Sequence, residues 1–192
     1  KAGTVIIPDG VITINSYAFA RNAVIEGVFF PDSLVSIGTY GFHMATSLSE
    51  ISFGNGLESI GSNAFNGNTS LTSLVFPASL RQIGDWAFQD STGLTEVTFN
   101  QGLLSIGRYA FYRRSGLSHI TIPDSVTAIG DYSFQNCGLL SFTMISPTPP
   151  TLGTNALHGY ATGFVIYVPG DVLTLYQTTG KWAVYASRMQ GF

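Results

Sequence analysis

Apolar and polar residues alternate along this chain in a pattern that returns every 22 or 23 residues. Segments such as residues 94–99 alternate apolar and polar side chains, as half-buried β-strands do. A proline, glycine or asparagine follows most of these segments, and such residues end strands. The pattern predicts seven units, five of 23 residues and two of 22. They begin at Val5, Val28, Ile51, Leu74, Val97, Ile120 and Phe142.

Two columns of residues recur within the units. The fifteenth position holds Phe19, Phe42, Phe65, Phe88, Phe111 and Phe134. The eleventh holds Asn15 in the first unit and then Gly38, Gly61, Gly84, Gly107 and Gly130, with Gly153 in the matching place of the seventh. Glycine there supplies either a positive φ or room for close backbone approach, and asparagine fits the first alternative. One such coil cannot bury its own apolar face, so we expect stacked coils around a phenylalanine column, with ring centroids about 4.5–7 Å apart.

The unit matches the pattern Leu-x-x-Ile-x-Phe-Pro-x-x-Leu-x-x-Ile-Gly-x-x-Ala-Phe at residues 71–88 and, with changes that include Val for Leu, at residues 117–134. It resembles the BspA-like leucine-rich repeat, a phenylalanine-rich class found on bacterial surface proteins. The resemblance implies a leucine-rich repeat solenoid. That fold is a right-handed α/β-type coil stack with a concave parallel β-sheet, short helical turns on the other side and a C-terminal cap. It also implies an extracellular or cell-surface location and a role in binding proteins or host surfaces.

The repeat predicts seven coils over residues 1–163 and a capping segment over residues 164–192. The seventh unit departs from the pattern, since residues 145–150 add one residue to it and Leu157 replaces the phenylalanine. Such an atypical unit is typical of the end of a repeat array.

The capping segment has its own pattern. Residues 164–168 are predicted to form a last strand, and Asp171 is a candidate N-cap for a short helix through Tyr176. A second helical piece is predicted to carry Trp182, Tyr185 and Met189 on one face. These groups would seal the end of the stack, where an open edge invites aggregation.

Composition excludes several classes of protein. Charged residues make up 10% of the chain, and the formal net charge is −3, which argues against nucleic-acid binding. No apolar run approaches the ~20 residues of a membrane-spanning helix. A single cysteine, Cys137, excludes a disulfide framework and is predicted to be buried. Neither a metalloprotease motif, a phosphate-binding loop nor a nucleophile elbow occurs, so the sequence predicts no catalytic residues, no cofactor and no metal site.

Opposite charges share positions in successive units, and these are predicted to form ion pairs between coils that help fix the register. The predicted groups are Glu58 with Arg81, Asp85 and Asp131 with Arg108, Asp90 with Arg113, and Glu96 with His119.

Two surfaces are candidates for binding a partner, while the oligomeric state and the partner's identity stay open. The concave sheet face is predicted to present Phe29, Glu50, Ser52, Val75, Glu96, Thr98, His119, Thr121 and Thr143 to a protein. Aromatic rings at the thirteenth position form a second surface that either binds glycans by stacking or packs against itself: Tyr17, Tyr40, Trp86, Tyr109 and Tyr132. A third alternative is a structural spacer within a larger surface protein.

Overall fold

The structure, a computed structural model, describes residues 3–113 and 115–192 and is a parallel β-solenoid. Residues 1, 2 and 114 of the predicted coil region lie outside this description. In chain order the strands are β1 (Thr4–Ile6), β2 (Thr13–Ile14), β3 (Gly27–Phe29), β4 (Ser36–Ile37), β5 (Glu50–Ser52), β6 (Ser59–Ile60), β7 (Ser73–Val75), β8 (Gln82–Ile83), β9 (Glu96–Thr98), β10 (Ser105–Ile106), β11 (His119–Ile122), β12 (Ala128–Ile129), β13 (Ser141–Met144), β14 (Thr151–Leu152), β15 (Val165–Val168) and β16 (Met189–Gly191).

Each coil contributes one strand to each of two parallel sheets. The odd-numbered strands and β16 form the first sheet, which is the sheet predicted from the repeat. It is divided into three hydrogen-bonded groups, namely β1-β3-β5, β7-β9 and β11-β13-β15-β16. The even-numbered strands from β2 to β14 form a continuous second sheet of seven strands, which the alternation did not predict. Paired residues occupy the same repeat position, as when Val28 pairs with Ile51 and Ile37 with Ile60.

The third side of each coil, which we call the turn face, covers residues 15–24 and their equivalents. Here the predicted helical turns take the form of tandem β-turns. The Ala18 N–H donates to the Asn15 carbonyl at 3.2 Å, whereas the Tyr17 N–H donates to the next coil, to Thr39 at 3.1 Å. Because Tyr17 and Arg21 have φ of 62° and 59°, a right-handed helix cannot continue through them. Alternate N–H groups therefore remain available to link neighbouring coils.

Two columns of phenylalanine fill the interior. In the predicted column, successive rings from Phe19 to Phe134 stack with centroids 4.8–5.4 Å apart and planes within 11° of parallel. A second column, from Phe30 to Phe99, stacks at 5.6–5.8 Å, and Phe30 meets Phe42 edge-on at 5.6 Å. The predicted aromatic spacing is thus confirmed. Cys137 is fully buried beside this core, as predicted, and its thiol donates to the Phe111 carbonyl at 3.0 Å.

The last 29 residues cover the C-terminal end of the stack. A 3₁₀ turn at Gly170–Val172 leads into the helix α1 (Leu173–Thr178), and a second 3₁₀ segment spans Gly180–Arg188. The expected Asp171 cap is not formed, because the chain is already turning at that residue and Val172 occupies the N-cap without a side-chain bond. Trp182 and Tyr185 lie in the second segment as predicted, but Met189 begins β16, which pairs with β15.

Candidate functional site

The nine residues predicted on the concave face all lie on the first sheet, and their side chains alternate with the core residues. Phe29 and Thr143 are half-buried, and the other seven are exposed. The three strand groups share them equally: Phe29, Glu50 and Ser52 lie on the first group, Val75, Glu96 and Thr98 on the second, and His119, Thr121 and Thr143 on the third. Of the seven exposed residues, Val75 is the large hydrophobic one, and it is 64% exposed.

A groove of about 580 Å³ opens on this face where β9 and β11 separate. In the described part of the chain no strand pairing joins β9 to β11. The core residues of β9 show the opening, because Val97 and Phe99 are each 8% exposed, while Ile120 and Ile122 of β11 are 1% and 0% exposed. A strand edge without a partner strand presents unpaired backbone N–H and C=O groups. Because such groups need hydrogen-bond partners, the facing edges of β9 and β11 are available to a ligand or to water.

Four of the predicted residues, Glu96, Thr98, His119 and Thr121, line the groove. Thr95 and Ser118, which were not predicted to face a partner, line it as well. The site therefore combines a carboxylate, an imidazole and hydroxyl groups, which together supply hydrogen-bond donors and acceptors along one line. Thr95 and Ser118 could have been recognised because each directly precedes a strand of the first sheet in adjacent units.

His119 is held by its neighbour in the third group and not by Glu96. Its Nδ1 lies 2.8 Å from the Ser141 hydroxyl, on the strand that pairs with β11 in register. The predicted ion pair between Glu96 and His119 is absent from the salt bridges of the described residues, because the sheet opens between their strands. The carboxylate of Glu96 is thus exposed and free of a salt bridge at the groove.

The other predicted ion pairs form only in part. Arg108 Nε lies 3.8 Å from Asp131 Oδ2, which confirms that pair. Asp85 instead accepts the backbone N–H of Arg108 at 2.7 Å. Arg81 donates to the Gly102 carbonyl at 3.0 Å, and no salt bridge between it and Glu58 occurs among the described residues.

Asp131 joins the cap to the coils. Its carboxylate accepts the Thr154 N–H at 2.6 Å and lies 3.9 Å from the Lys181 ammonium in the cap. The Thr154 hydrogen bond is the main cause that lowers the pKa of Asp131 from its ordinary value, and Lys181 and Arg108 add to it. These contacts link the cap to the last two coils.

The aromatic residues of the thirteenth position lie on the turn face in two separate stacks. Tyr17 stacks on Tyr40 at 4.9 Å. Trp86 stacks on Tyr109 at 5.7 Å, and Tyr109 on Tyr132 at 4.7 Å. Ring faces within each stack are therefore covered by neighbouring rings, and the faces left open lie at the ends of the stacks.

Asn63 occupies the thirteenth position of the coil between the two stacks. Its side-chain oxygen accepts from Asn66 Nδ2 at 3.2 Å, three residues further on. Asn63 has a φ of 56°, and the tyrosines and tryptophan of this column have φ between 55° and 62°. The left-handed backbone is therefore common to the column, and only the side chain changes in this coil.

Other kinds of site have little support in the described residues. Within residues 3–113 and 115–192, no three His, Cys, Asp or Glu side chains are grouped so that they could hold a metal ion. No helix among them has the length and apolar character needed to cross a membrane.

Comparison of the sequence with protein-family models gives a match over most of the chain. The matching model describes a BspA type leucine rich repeat region, in 6 copies, and it covers residues 1–74 and 36–162. No curated protein matches the sequence significantly.

Solved structures of bacterial leucine-rich repeat proteins resemble this fold. The leucine-rich repeat protein TpLRR of T. pallidum is 29% identical, with a TM-score of 0.72 over 79% of this chain and 73% of its own. A leucine-rich repeat protein of Bacteroides ovatus gives 22% identity and a TM-score of 0.62 over 84% of this chain and 48% of its own. A leucine rich cell surface protein of Faecalibacterium prausnitzii gives 23% identity and a TM-score of 0.57 over 77% of this chain and 49% of its own. The chain thus spans about half the length of the latter two proteins.

Proposed function

Because this chain belongs to the BspA-type leucine-rich repeat family, we propose that it is a non-enzymatic binding module that recognises a protein through the first sheet. The proposal places the module at a bacterial cell surface or outside the cell, in line with the cell surface protein of F. prausnitzii that it resembles in fold. It divides the chain into coils over residues 1–163 and a cap over residues 164–192.

The groove between β9 and β11 is the observation that supports this function. It brings together Glu96, Thr98, His119 and Thr121, four of the nine residues proposed to face the partner. Protein interfaces contain hydrogen bonds as well as apolar contacts, and the opened strand edges add backbone groups to these side chains. Val75 and Phe29 supply apolar surface on the neighbouring strands of the same face.

Charge substitution on this face tests the proposal. The double variant Glu96→Lys with Thr121→Arg reverses one charge of the groove and adds a second positive charge opposite it. We expect wild-type protein to bind at least one member of a panel of purified host extracellular and cell-surface proteins saturably, as measured by surface plasmon resonance. The double variant should bind that member about a hundredfold more weakly, because a few central residues dominate the energy of an interface and a reversed charge there repels the group that the original charge attracted.

A matched control carries the same change of charge elsewhere. Glu58→Lys with Gln82→Arg alters two exposed residues on the side of the second sheet. This control should bind like the wild type, and circular dichroism should show that all three proteins are folded. Equal loss in both double variants, or binding that survives the groove substitutions, contradicts recognition through the first sheet.

A further inference from the structure

The gap between the two aromatic stacks of the turn face has room for a ring. Tyr40 ends one stack and Trp86 begins the other, and Asn63 lies on the coil between them. An asparagine side chain ends near the point where a tyrosine ring begins, so the outer part of the gap is not filled by Asn63. We call this gap the Asn63 notch and assign to it Tyr40, Asn63 and Trp86 together with His43, Asn66 and Gln89, which follow them by three residues on the same coils.

The width of the Asn63 notch follows from the spacing of the coils. In the neighbouring phenylalanine column the same two steps measure 5.3 and 5.4 Å. The ring planes of Tyr40 and Trp86 therefore lie roughly 10 Å apart, since stacked strands repeat at about 4.8 Å. A ring placed midway would lie about 5 Å from each aromatic face, within the range of ring stacking.

Polar groups line the base of the notch. Asn63 and Asn66 form an amide pair through their 3.2 Å hydrogen bond, which leaves the Asn63 amide nitrogen and the Asn66 amide oxygen available as donor and acceptor. His43 packs edge-on against Tyr40 with centroids 5.1 Å apart, and Gln89 occupies the equivalent position on the next coil but one. All six lining residues are half-buried.

The protonation of His43 suits an uncharged polar ligand. Burial lowers the pKa of its imidazole from the ordinary value of 6.5, against a backbone hydrogen bond to Asn66 that raises it, so the ring is neutral at pH 7. Its Nδ1 is buried, so the imidazole contributes to the notch through its ring and not through that nitrogen. The notch thus presents two flat aromatic walls, amides and a neutral imidazole, with no charged side chain among its lining residues.

From this arrangement we propose that the Asn63 notch binds one pyranose residue of a glycan between Tyr40 and Trp86. Aromatic faces carry negative partial charge and attract the C–H groups of a sugar ring. A sugar with all its substituents equatorial presents axial C–H groups on both faces, which suits a site walled by rings on both sides. The preferred ligands are therefore glucose- or N-acetylglucosamine-configured β-glycans, with the amides bonding to ring hydroxyls. This activity lies on a different face from the proposed protein site and does not depend on it.

Binding of defined oligosaccharides tests this site. Cellotetraose and the β-1,4-linked N-acetylglucosamine tetramer should bind measurably in isothermal titration calorimetry. The β-1,4-linked mannose and galactose tetramers should bind at least about tenfold more weakly, because an axial oxygen replaces a C–H on one face. Trp86→Ala and Tyr40→Ala should each weaken binding of the preferred sugar by about tenfold or more.

The variant Asn63→Tyr separates binding from folding. Tyrosine fits the left-handed backbone of this column in four other coils, so it should join the two stacks, fill the notch and raise the unfolding temperature by a few degrees. The same variant should abolish sugar binding. Tyr132→Ala, which removes a ring from the far end of the ladder, should leave binding unchanged.

Several results would overturn the proposal. They are the absence of binding to all four tetrasaccharides, binding that persists in Asn63→Tyr, or equal loss in Tyr132→Ala and Trp86→Ala. Binding of a tyrosine-rich peptide that Asn63→Tyr abolishes, with none of the sugars bound, would assign the notch to a protein instead. The groove variant Glu96→Lys with Thr121→Arg should bind sugar like the wild type, so failure of the protein-binding function is distinguishable from failure of this site.

Discussion

At the scale of single residues, the glycine of the eleventh position shows how closely adjacent coils approach. A Cβ placed on Gly107 would lie 2.5 Å from the carbonyl carbon of Gly84 in the preceding coil. The φ of Gly107 is not positive, so close approach and not left-handed backbone is the reason for glycine. Asn15, at the equivalent position of the first coil described, is exposed. Positive φ occurs instead at the thirteenth and seventeenth positions.

Gly107→Ala is expected to destabilise the protein by about 2–3 kcal/mol, since the added methyl must push apart two backbones that cannot both relax. Urea unfolding followed by circular dichroism measures this change. Asn15→Ala, at the equivalent position of the first coil, should change the free energy of unfolding by less than about 0.5 kcal/mol. Similar losses in the two variants would show that close approach does not explain the column.

Asp131 makes stability depend on pH in a defined direction. Because its pKa in the folded protein is below the ordinary value of 3.8, its contribution is fully present above that value and is lost as the pH falls through the folded pKa. Asp131→Asn should therefore cost about 0.5–1 kcal/mol at pH 7, as expected for partly exposed pairs. The difference from the wild type should shrink below about pH 3.8, as measured by thermal unfolding over a pH series. Asp124→Asn, an exposed aspartate with the same change of charge, should show a smaller effect at pH 7.

At the scale of structural elements, the cap is joined to the last coil by buried hydrogen bonds from aromatic side chains. The Trp182 indole donates to the Pro150 carbonyl at 2.7 Å, and the Tyr176 hydroxyl donates to the Ser146 carbonyl at 2.9 Å. Both acceptors lie in residues 145–150, the irregular stretch of the seventh unit. Burial raises the pKa of Tyr176, so it remains a donor at any physiological pH. The irregular stretch thus serves to receive the cap.

Removal of the Trp182 side chain should open this end of the core. Trp182 is 1% exposed, so Trp182→Ala should lower the free energy of unfolding by about 3–5 kcal/mol and increase binding of a hydrophobic dye. Val184→Ala is the matched control, since Val184 lies in the same 3₁₀ segment and is 75% exposed. If both variants are equally stable, the cap does not seal the core.

At the scale of the whole molecule, each coil contacts mainly its immediate neighbours. Strand pairing joins successive coils, and the phenylalanine rings stack on the next ring in the column. Stability in such a molecule is close to a sum of coil and interface contributions, so the number of coils is adjustable while their register is not.

Deletion of residues 28–50, one complete unit of 23, should therefore give a folded and shorter solenoid with a moderately lower unfolding temperature. Deletion of residues 28–46 removes fewer residues but leaves four extra residues in the coil at the junction, so this variant should unfold at a lower temperature than the complete deletion. Circular dichroism and thermal unfolding of the two variants test the prediction. Equal behaviour of the two deletions would contradict a stack whose coils are interchangeable.

The sequence alone was sufficient for the repeat and for the phenylalanine core. The reason is that each coil must bury the same apolar positions against its neighbours, so the same residue pattern recurs in seven units with little change. The glycine column was recognised in the same way. Its cause stayed open between two alternatives, because steric contact between coils is not visible in a single coil.

Only the tertiary structure decided the features on which function is proposed to depend. The opening between β9 and β11, the hydrogen bond of His119 to Ser141 and the turn face built from tandem turns arise from how neighbouring coils sit against one another. The Asn63 notch depends in the same way on the rings of the coils before and after it. The repeat pattern contains only what the coils have in common. The proposed binding surfaces depend on positions where one coil differs from the others, and on how the adjacent coils pack around that difference.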